Sequence, residues 1–166
     1  MRLGWILLLV STMSTSVESR AANAGERRTA GAWTINAAGL RIIRQFEGLR
    51  LTAYREGKVW RIGYGHGGAA PGQTISAAAA ETLLRRDLRG CEGAVGTAVE
   101  VPINRNEFSA LVSLCFTINE RRFKASEVVA LLNDDKRDEA AQAFRQWVQP
   151  AGLAARRRRE MTLFLN

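Results

Sequence analysis

The stretch FEGLRLTAYREGKVWRIGYGHG, Phe46 to Gly67, constrains the fold more than any other part of the chain. Before it, Leu40, Ile43 and Phe46 recur at helical spacing, and Gly48 supplies a stop just past Glu47. Within it, LTAY and VWRIGYG are rich in β-formers and flank a turn at Glu56-Gly57-Lys58. GGAAPGQT reads as loop, and every apolar pattern after it has the helical period. Ser76 is placed to cap a long helix carrying Leu83, Leu84, Leu88, Cys91, Val95 and Val99. Pro102 breaks the chain before a second, strongly apolar helix over about Asn104–Ile118, and shorter amphipathic segments follow near 125–132, 137–147 and 153–165. One helix, one small sheet and then a helical bundle make an α+β chain, with two acids, Glu47 and Glu56, at the junction between lobes.

The ends of that frame carry their own signals. Residues 1–24 open with Arg2, run through an apolar core from Leu3 to Val10, and leave by Ala22-Asn23-Ala24, the order of an export signal. The uncharged run from Leu3 to Val17 is shorter than the ~20 apolar residues of a spanning helix. An uncleaved anchor, associating with membrane through residues 3–17, is the alternative to cleavage. Residues 25–35 read as a linker, leaving 36–166 as the folded domain. The expected destination is the periplasm or the extracellular space. A formal charge of +8 implies an anionic partner. It does not point to nucleic acid, because the aromatics are not interleaved with the basic residues and no zinc-ligand spacing is present. Cys91 shares a helical stripe with Leu84, Leu88 and Val95, and Cys115 lies in ALVSLCF. Two buried thiols are expected, although export makes a disulfide chemically allowed.

Paired carboxylates at a lobe junction suit glycosidic cleavage, which needs one acid to protonate the leaving oxygen and a carboxylate across the sugar. Glu47, at the end of a largely buried helix, is placed to stay protonated, whereas Glu56 on a turn is placed to stay ionised. The bland reading is a helix-end ion pair and a solvated turn residue.

The words around the acids narrow this. FEGLRLTAY followed by WRIGYGH resembles the phage-type lysozymes, the endolysin muramidases of glycoside hydrolase family 24. PINRNEFSALVSLCF, SEVVALLNDDKRDEAAQAFRQW and GLAARRRREMTLFL extend the likeness in order and spacing from about Asn36 to the C-terminus. The resemblance implies a small β lobe and a larger helical lobe joined by a long helix. It implies inverting hydrolysis of the β-1,4 bond between N-acetylmuramic acid and N-acetylglucosamine, with peptidoglycan strands as partner, no cofactor, no metal and a monomer. It assigns the general acid to Glu47. It makes Arg156 either a partner of that acid or one more member of a solvated basic run, His66 a structural histidine, and Trp147 a core residue.

Three departures stand at or beside the site. Relatives usually carry aspartate nine residues after the acid, where this chain has Glu56, in a turn about one residue shorter. Relatives usually carry threonine before IGYG, where this chain has Arg61, a bulky fixed cation that cannot accept a proton from water. FTIN, with Thr117, replaces a family FN-hydrophobic-Gly pattern. Two classes of function follow: an exported muramidase using Glu47 and Glu56, or a catalytically impaired lysozyme-like module that binds glycan or a protein. A guanidinium bonded to both glutamates would favour the second.

Overall fold

The structure, a computed structural model, describes residues 33–149 and 152–166. The proposed export segment and most of the expected linker lie outside the described residues. Helix α1, Ala37–Glu47, starts where the Asn36 side chain accepts from the Gly39 amide at 2.9 Å. Its apolar stripe buries Leu40, Ile42 and Ile43. It ends at Gly48, whose φ of 71° suits glycine and whose amide returns to the Arg44 carbonyl. Trp33 and Ile35, within the stretch read as linker, already belong to the packed body. Ile35 is buried, and Trp33 meets Phe108 edge-on at 5.8 Å.

The β lobe is an antiparallel sheet of order β1-β2-β3, with β1 at Arg50–Glu56, β2 at Val59–Gly63 and β3 at His66–Gly67. Tyr54 pairs with Arg61 and Glu56 with Val59, so the hairpin register puts Glu56 near Arg61. An irregularity between Arg50 and Tyr54 bends β1. Gly65, at φ 88°, lets the chain reverse between β2 and β3.

Helix α2, Ala77–Ala98, is capped by Ser76 and runs from the sheet into the helical lobe. Its 22 residues span about 33 Å, and it is the long connecting helix the sequence suggested. Helix α3, Arg105–Ile118, opens with an Asn104/Glu107 capping box and is buried on nearly every side. It forms the axis of the core, packed by α1, α2, α4 (Glu120–Lys124) and α7 (Ala154–Leu165), while α5 (Glu127–Asn133) and α6 (Arg137–Ala143) pack chiefly on each other at the edge of the same core.

Two expectations are corrected here, and one helix is new. Cys91 and Cys115 are not two thiols. α2 and α3 bring their Cα atoms to 5.7 Å and they form a disulfide. Burial, which had suggested free thiols, fits a bridge equally well when both cysteines face one interface. The helix expected over 137–147 ends at Ala143 and tightens into a 3-10 turn, Phe144–Gln146, where the Trp147 amide bonds the Phe144 carbonyl. That turn seats Phe144 against Phe164 at 5.6 Å. Finally, Asn119 at φ 70° both ends α3 and caps the unforeseen α4 through its side chain.

Candidate active site

The two lobes meet at a cleft of about 660 Å³ whose lining includes Glu47, Glu56, Arg61, His66 and Thr117. All but one of the six site residues expected from sequence therefore line a single cavity, and the sixth, Arg156, touches it through Glu47. A second groove of similar size lies between α1 and α7, beside Arg41, Arg158 and Arg159. No Asp or Glu side chain lies in its lining.

Glu47 sits on the last turn of α1, with a side chain 26% exposed. Its Oε1 accepts from Arg156 Nη1 at 2.6 Å. Its Oε2 lies toward Gly65, where a Cβ would stand 3.8 Å away. The reversal at Gly65 thus brings bare backbone beside the acid, which lines the cleft.

Arg156 is not part of a solvated run. It is 2% exposed and threads the core from α7. Beyond Glu47, its Nε donates to Glu160 Oε1 at 3.0 Å and its Nη2 to the Ser113 carbonyl at 3.2 Å. Ser113 Oγ donates to Glu160 at 2.6 Å, and Arg157 pairs with the other Glu160 oxygen while its Nε donates to the Trp147 carbonyl. Burial pushes the Glu160 carboxyl up from its usual value, against the pull of Arg157 and Arg156. Burial also lowers Arg157. Sequence reading left Arg156 open between a partner of the acid and a member of a solvated basic run, and did not single out Arg157. The helical period splits the run, turning Arg156 and Arg157 inward and leaving Arg158 and Arg159 exposed. The inward placement of Glu160 was legible from the same period, because it lies four residues from Arg156 and three from Arg157.

Across the cleft, Arg61 Nε pairs with Glu56 Oε2 at 2.5 Å, and its Nη1 donates to the Gly65 carbonyl at 2.7 Å. Arg61 therefore binds one of the two glutamates; the partner of Glu47 is Arg156. Glu56 is the more solvated acid, 65% exposed, as its place beside the hairpin turn requires.

His66 lies in β3 between two partners from α2. Its Nδ1 is 2.7 Å from Asp87 Oδ2, and Arg86 Nη2 is 2.8 Å from its Nε2. Because arginine can only donate, Nε2 accepts and Nδ1 carries the hydrogen that Asp87 receives. The ring is a fastener between sheet and helix. Thr117 donates its hydroxyl to the Ser113 carbonyl at 3.2 Å. Trp147 is partly buried against the core, with the Arg122 guanidinium 4.9 Å above its ring. A second polar fastener holds the lobes nearby: Glu81 on α2 takes Arg44 from α1 at 2.5 Å and the Tyr64 hydroxyl at 2.9 Å. Among the described residues no group of three His, Cys, Asp or Glu side chains is arranged to hold a metal ion.

Comparison with known proteins agrees with this geometry. The phage lysozyme family model matches residues 44–160. The endolysin of Salmonella phage P22 is 38% identical over 143 residues, covering 80% of this chain and 98% of that protein. The endolysin of Bacillus phage PZA is 36% identical over 140 residues, but the chain spans only 54% of its length. Among solved structures, the muramidase domain of SpmX from Asticaccaulis excentricus superposes with a TM-score of 0.78 at 38% identity, covering 81% of this chain and 99% of that one. A P22 lysozyme structure gives 0.75 at 37% identity, over 81% of this chain and all of that one.

Proposed function

The chain belongs to the phage lysozyme family of glycoside hydrolases, and on that premise we propose that it is a muramidase cutting the β-1,4 bond between N-acetylmuramic acid and N-acetylglucosamine in peptidoglycan. One observation carries the reading. Glu47 lines the cleft with Oε1 held by Arg156, while Arg61 engages Glu56 and the Gly65 carbonyl.

In this reading Glu47 Oε2 carries the proton to the leaving glycosidic oxygen. Glu56, in water and ionised, takes a proton from the attacking water on the opposite face of the sugar, and the anomeric carbon inverts. Arg61 must yield Glu56 to that water, or turn its other edge toward the glycan. Its bond to the Gly65 carbonyl supplies a second resting place. His66, Asp87 and Arg86 keep the β lobe in register with α2, and so keep the distance between the acids. Thr117 lines the cleft with its hydroxyl engaged by the Ser113 carbonyl.

Export belongs to the same proposal. The Cys91–Cys115 disulfide supports it, because such bridges persist in oxidising compartments. The chain is read as acting in the periplasm or outside the cell as a monomer, with cleavage or tethering at residues 1–24 set by the leader. No helix among the described residues is long and apolar enough to cross a membrane.

The Arg61–Glu56 ion pair favours a second reading, a cleft that holds glycan without turnover. Release of muropeptides from purified peptidoglycan separates the two. New reducing ends that vanish in Glu47→Gln support the enzyme, whereas sedimentation with the wall and no reducing ends in either protein supports the binding module.

A further inference from the structure

Glu160 is a fully buried carboxylate that the proposed mechanism does not use. It is 0% exposed, accepts from Arg156, Arg157 and Ser113, and stands directly behind the guanidinium that holds Glu47. The arrangement matters because a lone guanidinium at 2.6 Å favours the ionised form of a carboxyl group, the wrong form for a proton donor. A buried cation also needs a countercharge.

We propose that Glu160 is a positioning residue for Glu47: it fixes Arg156 against Glu47 Oε1 and offsets its charge, so that the guanidinium does not act on Glu47 as a lone cation. The inference rests on Glu47 as the acid. Three features carry it. Arg156 presents Nη1 to Glu47 and Nε to Glu160, so one planar group joins the two carboxyls. Ser113, from α3, bonds both Glu160 and Arg156, which fixes the plane of the guanidinium. Arg157 fills the second Glu160 oxygen and is itself tied to the Trp147 carbonyl. The charged groups that face Glu160 are thus Arg156 and Arg157 on its own helix, with Ser113 from α3 and Glu47 from α1 behind Arg156. Across the cleft from Glu47 stand Arg61, Glu56, His66 and Asp87, which the test leaves unchanged.

The test compares Glu160→Gln with Glu160→Asp, which alters the reach of the carboxylate but keeps its charge. Two bond lengths and the width of a guanidinium put the carboxyls about 7 Å apart. Removing one charge at that distance, at an effective dielectric of about 20, moves a titration by up to about 1.7 pH units. The alkaline limb of kcat/KM against pH should therefore move down by about one to two units in Glu160→Gln, with activity above the limb about 10- to 50-fold lower. In Glu160→Asp it should stay within about 0.3 unit of the parent. Equal shifts in both variants, or none in either, overturn the proposal, as does an upward shift in Glu160→Gln. Thermal melts confirm that each variant is folded. If Glu160→Gln does not fold, Ser113→Ala takes its place. That change withdraws a hydrogen bond from Glu160 without touching Glu47, and should move the limb the same way by less. The carbon-13 signal of the Glu47 carboxyl, followed against pH in parent and variant, reads the same coupling without turnover. A parent that releases no reducing ends would sink the muramidase reading, while the signal would still decide the role of Glu160.

Discussion

Replacing Arg61 by threonine asks most directly whether the cleft is obstructed or merely different. The substitution removes two interactions, the ion pair to Glu56 and the bond to the Gly65 carbonyl. Glu56 is 65% exposed and Arg61 35%, so water screens the pair, which contributes at most about 1 kcal/mol to stability. The Gly65 bond adds about 1 kcal/mol. Arg61→Thr should thus cost no more than about 2 kcal/mol in urea unfolding and leave the fold intact. The effect on turnover is much larger. On the proposed mechanism, the guanidinium 2.5 Å from Glu56 Oε2 crowds the carboxylate that would receive the water's proton. Misplacing a reacting group by an ångström costs on the order of 100-fold. Freed of Arg61, Glu56 should raise kcat about 10- to 100-fold in release of reducing ends, with KM within about threefold because most of the cleft surface is unchanged. A folded Arg61→Thr protein whose kcat is unchanged or lower would refute the reasoning. Arg61 would then be a group the reaction uses.

The Cys91–Cys115 bridge closes a loop of separation 24 between α2 and α3, and on the loop-entropy argument contributes about 3 kcal/mol. Cys91→Ala/Cys115→Ala should lower the unfolding free energy by that amount, and a dithiol reductant should lower the parent's Tm but not the variant's. Burial acts to raise the Glu81 carboxyl, but bonds from Arg44 and Tyr64 outweigh it and hold Glu81 below its ordinary value of 4.5. A carboxyl lowered by folding stabilises the protein above its unfolded value and loses that contribution as pH falls through its folded one. The stability gap between parent and Glu81→Gln should therefore be constant above about pH 5 and close as pH drops below about 4. A gap that widens on acidification would contradict this.

Sequence reading placed the elements well where local chemistry decides alone. Gly48 ends α1, Ser76 starts α2, and the Glu56-Gly57-Lys58 turn closes the hairpin, because each depends on a cap or turn residue and its immediate neighbours. It read less well wherever two distant segments meet. The disulfide depends on how α2 lies along α3, which no spacing encodes. The short β3 is held by pairing with β2 and by Asp87 and Arg86, partners about twenty residues away. Five cleft residues, Glu47, Glu56, Arg61, His66 and Thr117, were named from sequence, but Asp87 and Tyr64 were not, and the partner of Glu47 stood open between two readings. That choice turns on the rotation of α7 about its own axis, which packing of Met161 and Phe164 decides. Glu160 was overlooked because a glutamate after four arginines looks like surface until the helical period is followed inward.

The bond between Arg156 and Glu47 spans 109 residues, joining the first described helix to the helix that follows every other described element in sequence. Until α7 docks, Glu47 lacks its arginine, Ser113 lacks its carboxylate, and Phe144 lacks the ring that covers it. The surroundings of this glutamate are therefore completed in a single docking step and not assembled by degrees.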